Sequence, residues 1–350
     1  MRVIEGRTKS RVGPVEDLER LPQGVTGLRS TSMRATRVFD GTPGLPDPVA
    51  FLASLEGCRA TAEPALPGIL VPSHRGVDSL RWTLSLDGPP QSLFLKVLHP
   101  EHRRFVDVEA SFDAQRKAAA LGCTPGIRFL DVAQGASMTD LLDGWRTGRV
   151  DDLRKPQVLE KVLTAKRKIH KGPPFRRNWT VFDRVQALES ERAALGVDTP
   201  EDFGWLLESV AHIERAMIAA GWDEVPAHAD GLASNIMISP DGEIQLVDFD
   251  EARNIDPYFE FGILLNEAFQ SEEEIIAALE IIEGGSRRTS LNRIRLYAIA
   301  DDLAWGLWGL VMDRTSARTD VEFLKYAYWR LLRCRMALRR IDLQSLLRRL

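Results

Sequence analysis

The chain has 350 residues, 44% of them hydrophobic, enough to bury one large core or two modest ones. Its net charge of −4 gives no global reason to expect nucleic acid as a partner, and three scattered cysteines, Cys58, Cys123 and Cys334, exclude a disulfide framework or a Cys-x-x-Cys zinc site. No apolar run reaches the length of a membrane span and the N-terminus lacks the apolar core of a signal peptide, so a soluble cytoplasmic protein with no membrane partner is expected.

In chain order, residues 1–46 mix Arg, Gly, Pro, Ser and Thr without periodicity and read as an N-terminal arm. Val49, Phe51, Leu52 and Leu55 have helical spacing and predict a short helix over Pro48–Leu55. Leu80–Leu86 and Ser92–Leu98 read as strands joined through the turn residues Asp87-Gly88-Pro89-Pro90. A helix over Val106–Leu121 is stopped by Gly122 and Pro125. Ile127–Val132 and Ser137–Leu142 add two short strands. Beyond Gly144 the pattern turns helical: Val158–His170, Val181–Ala194, Pro200–Ala220, Glu272–Ile282, Arg293–Met312 and Val321–Leu350, interrupted by a hairpin at Ile236–Val247. The expectation is an α+β protein with a small β-rich lobe over 47–142 and a larger helical lobe over 143–350.

The most informative stretch is 228–250. It sets His228, Asp230 and Asn235 in an H-x-D-x-x-x-x-N pattern, and after the hairpin comes the acidic pair Asp248 and Asp250. Transfer of a phosphoryl group needs a carboxylate to orient the attacking hydroxyl, oxygen ligands for Mg²⁺, and cations to absorb phosphate charge. Asp230, with His228 beside it, is placed for the first task, and Asn235, Asp248 and Asp250 for the second. Pro240-Asp241-Gly242 is a turn sequence that would fold Asp248 back beside Asn235. Three fixed positions alone recur by chance; the hairpin and the Asp-Phe-Asp at this distance make the pattern specific.

This segment resembles the catalytic and metal loops of the aminoglycoside-phosphotransferase and choline-kinase superfamily, relatives of the protein kinases, over roughly residues 47–335. The resemblance implies a bilobal protein-kinase-like fold with ATP and Mg²⁺ between the lobes. Lys96, in Phe94-Leu95-Lys96-Val97-Leu98, falls where the family's lysine meets the α- and β-phosphates, and a buried ammonium needs a partner. The family places a glutamate on the next helix for this; Glu109 is the candidate, with Asp113 one turn later as the alternative. The phosphate-covering loop departs from the family pattern. Ser73–Ser79 offers a single glycine, Gly76, with backbone amides and the Ser79 hydroxyl left to contact phosphate. Thr139–Leu142 would form the adenine hinge, ending at Leu142.

Trp305 and Trp308 lie three apart, on one helical face, and Tyr326, Tyr328 and Trp329 follow. Such rings can hold a cation by their faces, although tryptophans at this spacing also pack ordinary cores. Trp-Gly-Leu-Trp, then Glu-Phe, then Tyr-Ala-x-x-Arg resembles the C-terminal signature of choline and ethanolamine kinases. It implies that Trp305, Trp308 and Tyr326 surround an ammonium group that Glu267 faces. His170 falls where the family ends a helix with Leu-His, a position also suited to a structural histidine. Two departures point toward ethanolamine or another amino-alcohol. Glu251 stands after Asp250 where choline kinases have tyrosine, and Val311-Met312-Asp313 lacks the family's glutamine. The arginines from Arg330 to Arg349 read as a solvated helix face. The expected function is ATP- and Mg²⁺-dependent phosphorylation of the hydroxyl of a small cationic alcohol, with choline and ethanolamine as the leading candidates. An aminoglycoside or other small-molecule kinase, or a nucleotide-binding regulator without catalysis, are the rival readings.

Overall fold

The computed structural model describes residues 60–65, 77–86, 92–269, 271–285, 287–319 and 321–350. The arm at 1–46, the expected helix at Pro48–Leu55, Gly76 with most of its loop, and the Asp87–Pro90 turn lie outside the described residues.

The first lobe is one antiparallel sheet of β1 (Ala60–Pro64), β2 (Ser79–Leu86), β3 (Ser92–Leu98), β4 (Ile127–Asp131) and β5 (Ala136–Asp140), in the order β1-β2-β3-β5-β4. Side chains alternate across each strand. Trp82 and Leu84 of β2, Leu93, Leu95 and Val97 of β3, and Ala136 and Met138 of β5 form the buried face. The opposite parity puts Arg81, Thr83, Phe94, Lys96 and Thr139 on the face that lines the cleft below. Arg81 and Lys96 are direct cross-strand partners. Helix α1 (Val108–Ala120) begins where Asp107 accepts a 3.0 Å bond from the Ala110 amide.

After Leu142 the chain enters the helical lobe. A small sheet joins β6 (Arg146–Thr147), β8 (Ile236–Ile238) and β9 (Ile244–Leu246), and a second pairs β7 (Val225–Ala227) with β10 (Arg253–Ile255). Its helices are α2 (Val150–Leu153), α3 (Pro156–His170), α4 (Val181–Ala194), α5 (Phe203–Ala220), α6 (Pro257–Ala268), α7 (Glu272–Glu283), α8 (Arg288–Thr315), α9 (Phe323–Arg339) and α10 (Leu343–Leu347). The caps follow local chemistry: Thr180 with Asp183 opens α4, Ser271 with Glu274 opens α7, and Pro156 occupies the first turn of α3.

Two differences from the predicted elements have clear causes. The predicted reading has no helix at α6, because nearly every residue from Phe259 to Leu265 is buried and the segment carries no amphipathic stripe. The predicted helix over Val321–Leu350 is two, since Asp342 caps a new start by accepting from the Ser345 amide. The long α8 packs against α4, α6 and α9, and most of its residues are buried. Among the described residues no helix is long and apolar enough to cross a membrane.

Candidate active site

The loop after β7 carries Asp230 on a backbone held from beneath. Ala229 has φ 59°, a left-handed conformation unfavourable to a residue with a Cβ. Its amide donates to Glu260 Oε1 at 3.0 Å, and the same carboxylate binds Lys166 Nζ at 2.8 Å and His170 Nε2 at 2.6 Å. Lys166 also donates to the Asp230 carbonyl at 3.3 Å. Burial alone would raise the Glu260 pKa, but Lys166 and His170 hold it well below the ordinary carboxylate range. His170 is therefore a structural partner of Glu260. Gly231 lets this loop lie against α6: a Cβ there would meet the Leu264 backbone nitrogen at 2.4 Å.

His228 does not face the reaction space. It is 1% exposed, with Nδ1 2.8 Å from the Asp230 carbonyl and Nε2 2.9 Å from the Val247 carbonyl. Its ring stands edge-on to Phe249 at 4.7 Å. The expected catalytic role for His228 is corrected to positioning: it ties the Asp230 loop to the end of β9.

Asp230 Oδ2 accepts from Asn235 Nδ2 at 2.8 Å and Oδ1 accepts from the Leu232 amide at 3.0 Å. Burial and the neighbouring Asp248 push its pKa up to about 8. The turn after β8 closes as expected, with Gly242 N donating to the Ser239 carbonyl at 2.9 Å. Val247 N then bonds the Asn235 carbonyl at 2.9 Å, which brings Asp248 back toward Asn235. Asp248 itself has φ 72°. Two non-glycine residues in the left-handed region thus sit at or beside the two central carboxylates, a concentration of strain typical of functional sites.

Asp78, Asp248 and Asp250 bring carboxylate oxygens within 4.8 Å of one another. Lys96 Nζ lies 2.7 Å from Asp248 Oδ1, 2.7 Å from Asp250 Oδ2 and 4.0 Å from Asp78 Oδ2. Arg81 reaches Asp78 at 3.2 Å and Asp248 at 3.5 Å. Burial would lower the Lys96 pKa, yet Asp248, Asp250 and Asp78 raise it above the usual lysine value. Burial, with Asp248 and Asp78, raises Asp250, and Lys96 opposes that rise. Hard carboxylate oxygens converging in this way suit Mg²⁺. Asp78 and Arg81 were not among the predicted residues; the available signal was an acid followed three residues later by an arginine at the start of β2.

The expected pairing of Lys96 with Glu109 or Asp113 is not made. Glu109 lies in the exposed first turn of α1 and binds Arg176 at 2.5 Å, and Asp113 binds Lys117 at 2.6 Å. The residue that α1 turns toward the acidic group is Ser111, whose hydroxyl donates to Asp250 Oδ1 at 3.2 Å. Ser79 is buried and donates to Asp78 at 3.4 Å. Thr139–Leu142, with Leu142 at its end, lines the cleft.

One continuous cleft of about 690 Å³ runs from Leu142 past Lys96 and Asp230 to Glu267, Trp305 and Tyr326. The expected aromatic group is assembled: Trp305 and Trp308 meet edge-to-face at 5.4 Å, and Trp308 and Tyr326 at 5.9 Å. Gly306 and Gly309 make this possible, because a Cβ at Gly309 would stand 3.0 Å from the Ala327 Cα and one at Gly306 2.7 Å from Leu331. Trp308 is only 1% exposed, so most of it is core. Glu267 accepts from the Ala233 amide at 2.5 Å, and burial raises its pKa.

Arginines are interleaved with these rings. Arg184 stacks over Trp305 at 4.0 Å and binds Glu251 at 2.9 Å; Arg253 binds the same carboxylate. Burial would raise Glu251, but Arg184, Arg253 and Arg177 hold it down at about 2. Arg330 bridges Asp301 at 2.5 Å and Asp302 at 3.0 Å, and Arg333 binds Asp302 at 3.1 Å. The expectation of a solvated C-terminal arginine face fails for these two, which are internal partners of α8, and for Arg335, which pairs with Asp202.

A two-lobed, kinase-like fold with a lysine, a loop aspartate and an acidic pair in its cleft defines the phosphotransferase class. The chain belongs to the phosphotransferase enzyme family (APH), whose family model matches residues 70–297. No curated protein matches it in sequence. Among solved structures it is similar to a choline/ethanolamine kinase family protein from Mesorhizobium loti, with 21% identity, TM-score 0.68, and coverage of 82% of this chain and 90% of that one. It is also similar to choline kinase LicA from Streptococcus pneumoniae, with 16% identity, TM-score 0.67, and coverage of 83% and 97%. A thermostable mutant of an aminoglycoside phosphotransferase follows, with 15% identity, TM-score 0.58, and coverage of 83% and 97%.

Proposed function

We propose that this protein is an ATP- and Mg²⁺-dependent kinase that phosphorylates the hydroxyl of a small amino-alcohol of the choline and ethanolamine class. One observation carries the reading: Asp230, the Lys96 group and the Trp305 end all open onto a single cleft. Thr139–Leu142 would receive the adenine, and Lys96 and Arg81 would bind phosphate oxygens. Asn235, Asp248 and Asp250 would hold Mg²⁺, which when bound neutralises charge on the phosphates. Asp230 orients the acceptor hydroxyl and takes its proton at a carboxylate oxygen. Asp301 and Glu267, both lining the cleft, would face the ammonium end of the acceptor.

A polycationic aminoglycoside fits less well, because Arg184, Arg330 and Arg333 offset the carboxylates around the acceptor end. The test is ATP consumption with Mg²⁺ against choline, ethanolamine, related amino-alcohols and aminoglycosides. Turnover confined to amino-alcohols is expected; turnover only with aminoglycosides, or none with any alcohol, would overturn the proposal.

A further inference from the structure

One face of the Trp305 indole is already covered by a cation belonging to the chain, in a small cavity that Asp230, Asp301 and Tyr326 also line. Arg184 lies in α4 beside Val181 and Val185, whose burial seats that face of the helix in the core shared with α8. From there its guanidinium reaches Trp305 at 4.0 Å. Its side chain is 7% exposed and is fixed by Glu251 at 2.9 Å. Glu251 is in turn bound by Arg253, itself 1% exposed. This is a built arrangement, since withdrawing Arg184 would strand part of a buried charge network. The neighbouring ring is treated alike, with Arg333 over Trp329 at 5.1 Å.

A trimethylammonium group has no hydrogen to donate and depends on open ring faces. A primary ammonium has three donors and depends on oxygen acceptors. We infer that Arg184 is a specificity-determining residue, which fills the Trp305 face itself and excludes quaternary ammonium compounds from the acceptor pocket. Resting on the amino-alcohol reading above, this leaves primary-amine alcohols as the substrate class, met by Asp301 and Glu267 in the cleft wall. The position after Asp250 is part of the same device: Glu251 supplies the carboxylate that holds the guanidinium on the ring.

The experiment titrates the full chain with tetramethylammonium, read by indole fluorescence, and compares wild type with Arg184→Ala. MgATP binding is measured in both as the control for folding. Removing the resident cation should tighten tetramethylammonium binding about tenfold, the scale of one desolvated cation–π contact. The choline-to-ethanolamine ratio of kcat/KM should rise by a similar factor. Equal tetramethylammonium affinity in the two proteins would overturn the inference. So would submillimolar binding by wild type, a result that needs no variant to fold. If neither alcohol is phosphorylated but Arg184→Ala still gains tetramethylammonium, the amino-alcohol function falls and the role of Arg184 stands.

Discussion

At the scale of single residues, the chemistry rests on how a few charges face one another. Asp230 receives two hydrogen bonds, and burial together with the repulsion of Asp248 raises its pKa, so both its geometry and its protonation are set by its surroundings. Asp230→Asn keeps the size and loses the proton acceptor. Its kcat should fall by about 100- to 10,000-fold with MgATP affinity unchanged; near-normal turnover would remove Asp230 from the mechanism. Arg81 is the second cation beside Asp78 and Asp248, opposite Lys96 in the β2–β3 register, and on the proposed reading it would meet phosphate. With a single glycine in Ser73–Ser79, Arg81 would on that reading do work that backbone amides do in glycine-rich loops. Arg81→Ala should weaken ATP binding roughly ten- to hundredfold, the worth of a charge-assisted hydrogen bond, and leave adenosine binding alone. A matching loss for adenosine would assign Arg81 to folding.

At the scale of elements, Glu260 joins α6 to α3 and to the Asp230 loop. Glu260→Gln would leave Lys166 buried beside a neutral partner and should cost about 3–5 kcal/mol, read from denaturant unfolding at neutral pH. The sign with pH follows from its lowered pKa. A carboxyl depressed in the folded state contributes stability that is full above its unfolded value near 4.5 and is lost as pH falls below it. Wild type should therefore lose stability on acidification more steeply than Glu260→Gln; parallel curves would show that the cluster carries no net energy. Much at this scale was legible. Strands β2 and β3, helix α4 and the hairpin after Asn235 all match predicted segments closely, because each has a local pattern, cap or turn. Helix α6 was not legible, since a segment buried on every side has no polar face to mark its period.

At the scale of the molecule, the cleft lies between a sheet that contributes Lys96 and Arg81 and a helical lobe that contributes Asp230, Asp248 and Asp250. A ligand bridging them should stabilise the whole chain. MgATP at about 100 times its Kd should add roughly 2.7 kcal/mol, seen as a raised Tm. Asp248→Asn should lose the Mg²⁺-dependent part of that gain, and an equal gain with excess chelator would argue against a metal at this acidic group.

The grouping of Asp230, Asn235, Asp248 and Asp250 within the 23 residues from His228 to Asp250 was readable without coordinates, because a loop and a hairpin bring their side chains together locally. The aromatic pair Trp305 and Trp308 was readable for the same reason, one turn of one helix. Only the tertiary structure decided what each group faces. It turned His228 inward onto two carbonyls, gave Lys96 to Asp248 and Asp250 instead of Glu109, and laid Arg184 across Trp305. The Lys96 and Arg184 contacts join residues far apart in the chain, and spacing along a sequence carries no record of which distant charge will settle on which ring.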